Sequence, residues 1–143
     1  MGTPATNEIG VLGVDDQPIF LDVAREVVTA TPGFRWVGAA DSGAAAVAEV
    51  ERLEPALVLL DVHMPDMDGF ETARRIAERR PDVVVVLVTM DVDPVLARAV
   101  ETSGAAVLIR KQELGRATLR RLWHTYAGGG GQATADAGSD SGD

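Results

Sequence analysis

Apolar residues cluster along this chain in short unbroken runs. Between the runs they recur every three or four positions. Ile9–Val14, Ala56–Leu60, Val83–Val88 and Ala105–Ile109 are continuous and of strand length. A strand with one wet face alternates apolar and polar residues; a continuous run suits a strand covered on both faces. Arg35–Ala40 is a weaker strand whose apolar content is Trp36 and Val37. Ile19, Phe20, Val23, Ala24, Val27 and Val28 fall at helical spacing and predict a first helix ending near Ala30. Further helices are predicted over about 43–53, 68–79, 94–101 and 113–126. Their inward residues are Ala46, Val47 and Val50 in the second, Phe70, Ala73 and Ile76 in the third, and Leu119, Leu122 and Trp123 in the fifth. Ser42 and Asp68 stand where helix caps are wanted, and Pro32-Gly33, Pro55, Pro81-Asp82 and Gly104 punctuate the pattern. Five strands alternating with five helices predict an α/β fold: a parallel sheet with helices on both sides.

The ends of the chain read differently. Residues 1–8 are polar and predicted flexible, 9–127 form one folded domain, and 128–143 are a Gly/Ser/Asp-rich stretch predicted to be disordered. In 143 residues, 46% apolar and 24% charged content is ordinary for a globular protein. A formal charge of -9 argues against nonspecific nucleic-acid binding by the whole surface. The sequence has no cysteine, which removes disulfides, thiolate metal sites and cysteine nucleophiles, and suits a cytoplasmic protein. No run is long enough to span a bilayer, and the N-terminus lacks a secretory pattern.

The chemistry gathers where the strands end. The first run ends in Asp15-Asp16, the third strand in Asp61, the fourth in Thr89 and the fifth beside Lys111. In a parallel sheet these ends share one edge, and open α/β sheets bind ligands outside that edge. Three carboxylates in one crevice repel each other, and a hard divalent cation with oxygen ligands relieves the repulsion. Mg²⁺ prefers one or two carboxylates together with waters and a phosphate oxygen. Lys111 offers a point charge for a phosphoryl group, Thr89 a neutral donor, and ionised Asp61 a nucleophile that can form an acyl phosphate. Taken singly, each of these residues is more readily a cap, a strand-end residue or a surface side chain. Their joint placement is what points to a site. His63 and His124 are too far apart in sequence to make a zinc pattern.

The residues Val14-Asp15-Asp16-Gln17-Pro18, the stretch Leu59 to Gly69 with Asp61 and Met64-Pro65-Asp66-Met67-Asp68-Gly69, Thr89, and Gly104 with Lys111 seven positions on resemble the receiver domain of two-component response regulators. The resemblance covers about residues 9–126. It implies a flavodoxin-like (βα)5 sheet in the order 2-1-3-4-5. It implies Asp61 as the acceptor of phosphate from a sensor histidine kinase. It implies Mg²⁺ held by Asp15, Asp16, Asp61 and the backbone carbonyl of His63, with Thr89 and Lys111 on the phosphoryl oxygens. Three positions depart from the family pattern: Met90 where a small residue is usual, Leu108 where an aromatic switch residue is usual, and Gln112 where proline often follows the lysine.

The expectation is therefore a single-domain response regulator that is not a turnover enzyme. It would signal through an unknown downstream protein and carry no DNA-binding domain. It would be a monomer or a weak homodimer through the face of helix four, strand five and helix five. Met90 and Leu108 motivate a second expectation, a receiver-fold interaction module independent of phosphorylation. A phosphohydrolase using the same nucleophile normally wants a second acid two residues after it, and position 63 is His.

Overall fold

The computed structural model describes residues 8–127; apart from Glu8, the expectations for residues 1–8 and 128–143 fall outside them. The strands are β1 (Ile9–Val14), β2 (Phe34–Ala40), β3 (Leu57–Asp61), β4 (Val84–Thr89) and β5 (Val107–Arg110). The helices are α1 (Pro18–Ala30), α2 (Gly43–Leu53), α3 (Gly69–Arg79), α4 (Pro94–Ala99) and α5 (Arg116–Tyr126). All strand pairs are parallel and the order is β2-β1-β3-β4-β5, the flavodoxin-like arrangement expected from the sequence. No helix among the described residues is long and apolar enough to cross a membrane.

The continuous apolar runs are buried as their pattern requires. Every residue of β3 and of β4 is buried. Alternate strand residues serve two cores. Val11, Leu57, Leu59, Val84, Val86 and Val88 pack on one side with Phe20, Ala24, Val28, Leu119 and Leu122 of α1 and α5. Leu12, Val14, Val58, Leu60, Val85 and Leu87 pack on the other with Ala46, Val50, Ala73 and Ile76 of α2 and α3. The helical spacing of α1 marks a wider stripe than the structure buries. Phe20, Ala24 and Val28 are covered, whereas Ile19 is 78% and Val23 46% exposed.

Three boundaries move for local reasons. Helix four is α-helical only to Ala99 and closes as a 3-10 turn over Val100–Thr102. There Ser103 Oγ donates to the Val100 carbonyl at 2.8 Å, and Gly104 turns the chain at φ +84. That turn delays the last strand, so that Ala106 N–H to Val85 O, 2.8 Å, is the first bond to the sheet and β5 starts at Val107. Beyond β5, Lys111–Glu113 forms a separate 3-10 turn instead of opening α5, because the Glu113 carboxylate folds back to the Arg110 N–H at 3.0 Å.

Candidate functional site

The parallel register sets the ends of β1, β3, β4 and β5 along one edge. Asp61 lies beside Val88 in the ladder, and Thr89 beside Arg110. Asp15 follows β1 directly, fully buried, with its N–H bonded to the Ala40 carbonyl at 3.1 Å and its Oδ1 taking the Gln17 N–H at 2.9 Å. Asp16 is exposed one residue on, because the chain turns there into α1. The carboxylates of Asp15, Asp16 and Asp61 each offer an oxygen within 4.8 Å of the others. Lys111 reaches into the group from the residue that follows β5. Its Nζ stands 2.6 Å from Asp15 Oδ2 and 3.6 Å from Asp61 Oδ1.

The surroundings of Lys111 hold that ammonium in place. Its Nζ lies over the Phe20 ring, 4.8 Å from the ring centre, so an aromatic face attracts the ammonium alongside the carboxylates. Thr89 is buried, and its hydroxyl makes only a long 3.4 Å bond to the Asp91 carbonyl. A donor held so weakly is free to turn toward a better acceptor. Asp16, Asp61, His63, Thr89, Met90 and Lys111 line an open cleft of about 430 Å³. Met90 is 57% exposed and lines this cleft.

The electrostatics single out Asp61. Burial pushes its carboxyl up to about 6, the neighbouring Asp15 charge adds to the rise, and Lys111 and the His63 N–H oppose it. A carboxylate this crowded by a like charge is poised for a cation. The donor set is three carboxylates with a side open to solvent, which suits Mg²⁺ and its retained waters; zinc sites are built mainly on His nitrogen and Cys sulfur. Sequence reasoning thus found the residues that converge. It missed Phe20 beside Lys111, and Asp66, whose carboxylate takes the Gly43 and Ala44 N–H groups, because both act through tertiary contacts that leave no local signal.

The chain is similar to several known proteins. The family model for the response regulator receiver domain matches residues 11–122. A protein-glutamate methylesterase/protein-glutamine glutaminase of Syntrophus aciditrophicus is 40% identical over 104 residues, covering 70% of this chain and 29% of that protein. The chain thus spans about 30% of the length of the first such curated relatives it matches. Among solved structures, the signal receiver domain of NarL from Mycobacterium tuberculosis is 27% identical with a TM-score of 0.73, covering 81% of this chain and 97% of that one. The CheX–CheY–BeF3–Mg complex of Borrelia burgdorferi matches at 27% identity and a TM-score of 0.71, over 80% of this chain and 85% of that one.

Proposed function

Because the chain belongs to the response regulator receiver family, matched over residues 11–122, we propose that it accepts a phosphoryl group from a sensor histidine kinase onto Asp61 and signals through a protein partner in the cytoplasm. The observation that carries this reading is the convergence of Asp15, Asp16, Asp61 and Lys111 at one sheet edge. In the proposed step an Asp61 oxygen attacks the phosphorus of a phosphohistidine. A P–O bond forms, the P–N bond breaks, and the imidazole nitrogen leaves with the bonding pair and takes a proton. Bound Mg²⁺ would offset the charge gathered on the phosphoryl oxygens. Asp15, Asp16, Asp61 and the His63 carbonyl would hold it.

The other residues do their work by position. Lys111, 2.6 Å from Asp15 and 3.6 Å from Asp61, would share its charge with the incoming phosphoryl oxygens. The Thr89 hydroxyl exchanges its long bond to Asp91 for a phosphoryl oxygen. The likeness to a chain of the CheX–CheY–BeF3–Mg complex supports this assignment. The reading is of a receiver that takes part in its own phosphorylation and dephosphorylation and is not a turnover enzyme. The face of α4, β5 and α5 is its docking surface, for a partner or a weakly bound second copy.

A second reading, a module whose binding is independent of phosphate, rests on Leu108. This side chain packs against the same core as Leu96 and Val100 and has no ring to turn. Intact mass after incubation with acetyl phosphate and Mg²⁺ tests the first reading. One phosphate adduct, absent in Asp61→Asn, is expected. An adduct that persists in Asp61→Asn overturns the assignment, and partner binding unchanged by the adduct favours the second reading.

A further inference from the structure

Between Asp61 and α3 the chain makes a loop, residues 62–68, that is fastened at two places. At its base the Gly69 N–H donates to the Val62 carbonyl at 2.7 Å. A Cβ on Gly69 would collide with the Asp61 carbonyl oxygen and stand 2.8 Å from Val62 Cα, so the loop closes directly on the backbone of the acceptor residue. At its crown Asp66 reaches across to α2. Its Oδ1 takes the Gly43 N–H at 2.8 Å and its Oδ2 the Ala44 N–H at 3.0 Å. These are two of the backbone donors that a helix start leaves without partners. The Ala44 and Gly43 N–H groups hold the Asp66 carboxyl below the usual carboxylate range.

The same crossing is tight in its packing. A Cβ on Gly43 would collide with the Met67 side chain and lie 2.5 Å from Thr72 Oγ1. Thr72 is buried and its hydroxyl donates to the Asp68 carbonyl at 3.0 Å. The loop is therefore trapped between the strand that carries Asp61 and the start of α2. His63, whose carbonyl belongs to the proposed metal site, lies between the two fastenings. Ser42 caps the same helix independently, taking the Ala45 N–H at 3.1 Å, so α2 does not depend on Asp66 for its start.

We propose that Asp66 is a positioning residue of the Asp61 site: by binding the start of α2 from the β3–α3 loop, it fixes where the His63 carbonyl stands. The inference rests on the reading of Asp61 as a Mg²⁺-dependent acceptor. Residues that orient metal ligands from behind commonly change metal affinity by about 10-fold or more, and one acting through a loop belongs at the lower end.

The test compares two losses of a cap on one helix. In Asp66→Ala and Ser42→Ala, Mg²⁺ affinity is measured by calorimetry, and amide exchange over 62–69 is measured without metal. Asp66→Ala is expected to weaken Mg²⁺ binding by about three- to tenfold and to speed exchange in the loop. Ser42→Ala should change neither by more than about twofold. Asp66→Asn, which keeps one acceptor oxygen, should recover part of the affinity. Equal effects from the two alanine variants would show that only helix stability is at stake and would overturn the proposal. So would wild-type affinity in Asp66→Ala. If the wild-type protein binds no Mg²⁺, the reading of the site falls, and the exchange comparison still decides the role of Asp66.

Discussion

Asp61 sits in its site at the expense of stability. Its carboxyl has an ordinary value of 3.8 and is raised to about 6 in the folded protein. Folding therefore takes up a proton between those values. The group's stabilising contribution is complete below about 4 and is lost as pH rises through about 6. Asp61→Asn removes the crowded charge. The metal-free variant should melt several degrees above wild type at pH 7.5, and the gap should close toward pH 4, as thermal unfolding across pH will show. Mg²⁺ should raise the melting temperature of wild type and act far more weakly on Asp61→Asn. Lys111 works against the burial of Asp61, so Lys111→Ala should push the Asp61 carboxyl higher still. Carboxyl chemical shifts followed by NMR through pH would reveal an unmoved titration if the ammonium were not acting there.

Among the elements, the β3–α3 connection and α4 are opposites. Gly69 is chosen by close approach and not by an unusual φ, since any side chain meets the Asp61 and Val62 backbone. Gly69→Ala should cost about 3 kcal/mol in urea unfolding, because backbone atoms cannot step aside as a flexible side chain can. Helix α4 has six residues, none of them buried. Its hold on the core is through half-buried Leu96 and Ala99. An element so lightly anchored opens at low cost. Phosphorylation is expected to displace Thr89 to Asp93 and the start of α4, with little change at Leu108. Amide shifts before and after acetyl phosphate treatment would contradict this if Leu108 moved as far as Thr89. The sequence showed the strand and helix types here. It did not show the 3-10 closure after Ala99 or the late start of β5, which follow from a hydroxyl bond at Ser103 and the first sheet bond at Ala106.

On the molecule as a whole, charge is unevenly spread. The full chain carries a formal charge of -9, yet Arg110, Arg116, Arg120 and Arg121 are all exposed on or beside β5 and α5. The arginines of α3 differ, since Arg74 and Arg75 pair with Glu71, and Arg79 and Arg80 with Glu51. Charge reversal at Arg116 and Arg120 should lower partner association several-fold and flatten its salt dependence, with dissociation little changed. Binding kinetics at two salt concentrations would place the interface elsewhere if these variants behaved as wild type and changes at Arg74 and Arg75 abolished binding.

The sequence by itself determined the layered parallel fold, because strands covered on both faces must be continuously apolar and the helices between them must carry one apolar stripe. It also determined which groups could meet, because parallel strands put Asp15, Asp61, Thr89 and Lys111 on one edge whatever their spacing along the chain. Only the tertiary structure decided how they meet. The 2.6 Å pairing of Lys111 with Asp15, the Phe20 ring beneath that ammonium and the reach of Asp66 to α2 join residues 96, 91 and 23 or 22 positions apart. Such contacts depend on loop closure, helix orientation and the room that a glycine leaves, none of which a local pattern of residue types encodes.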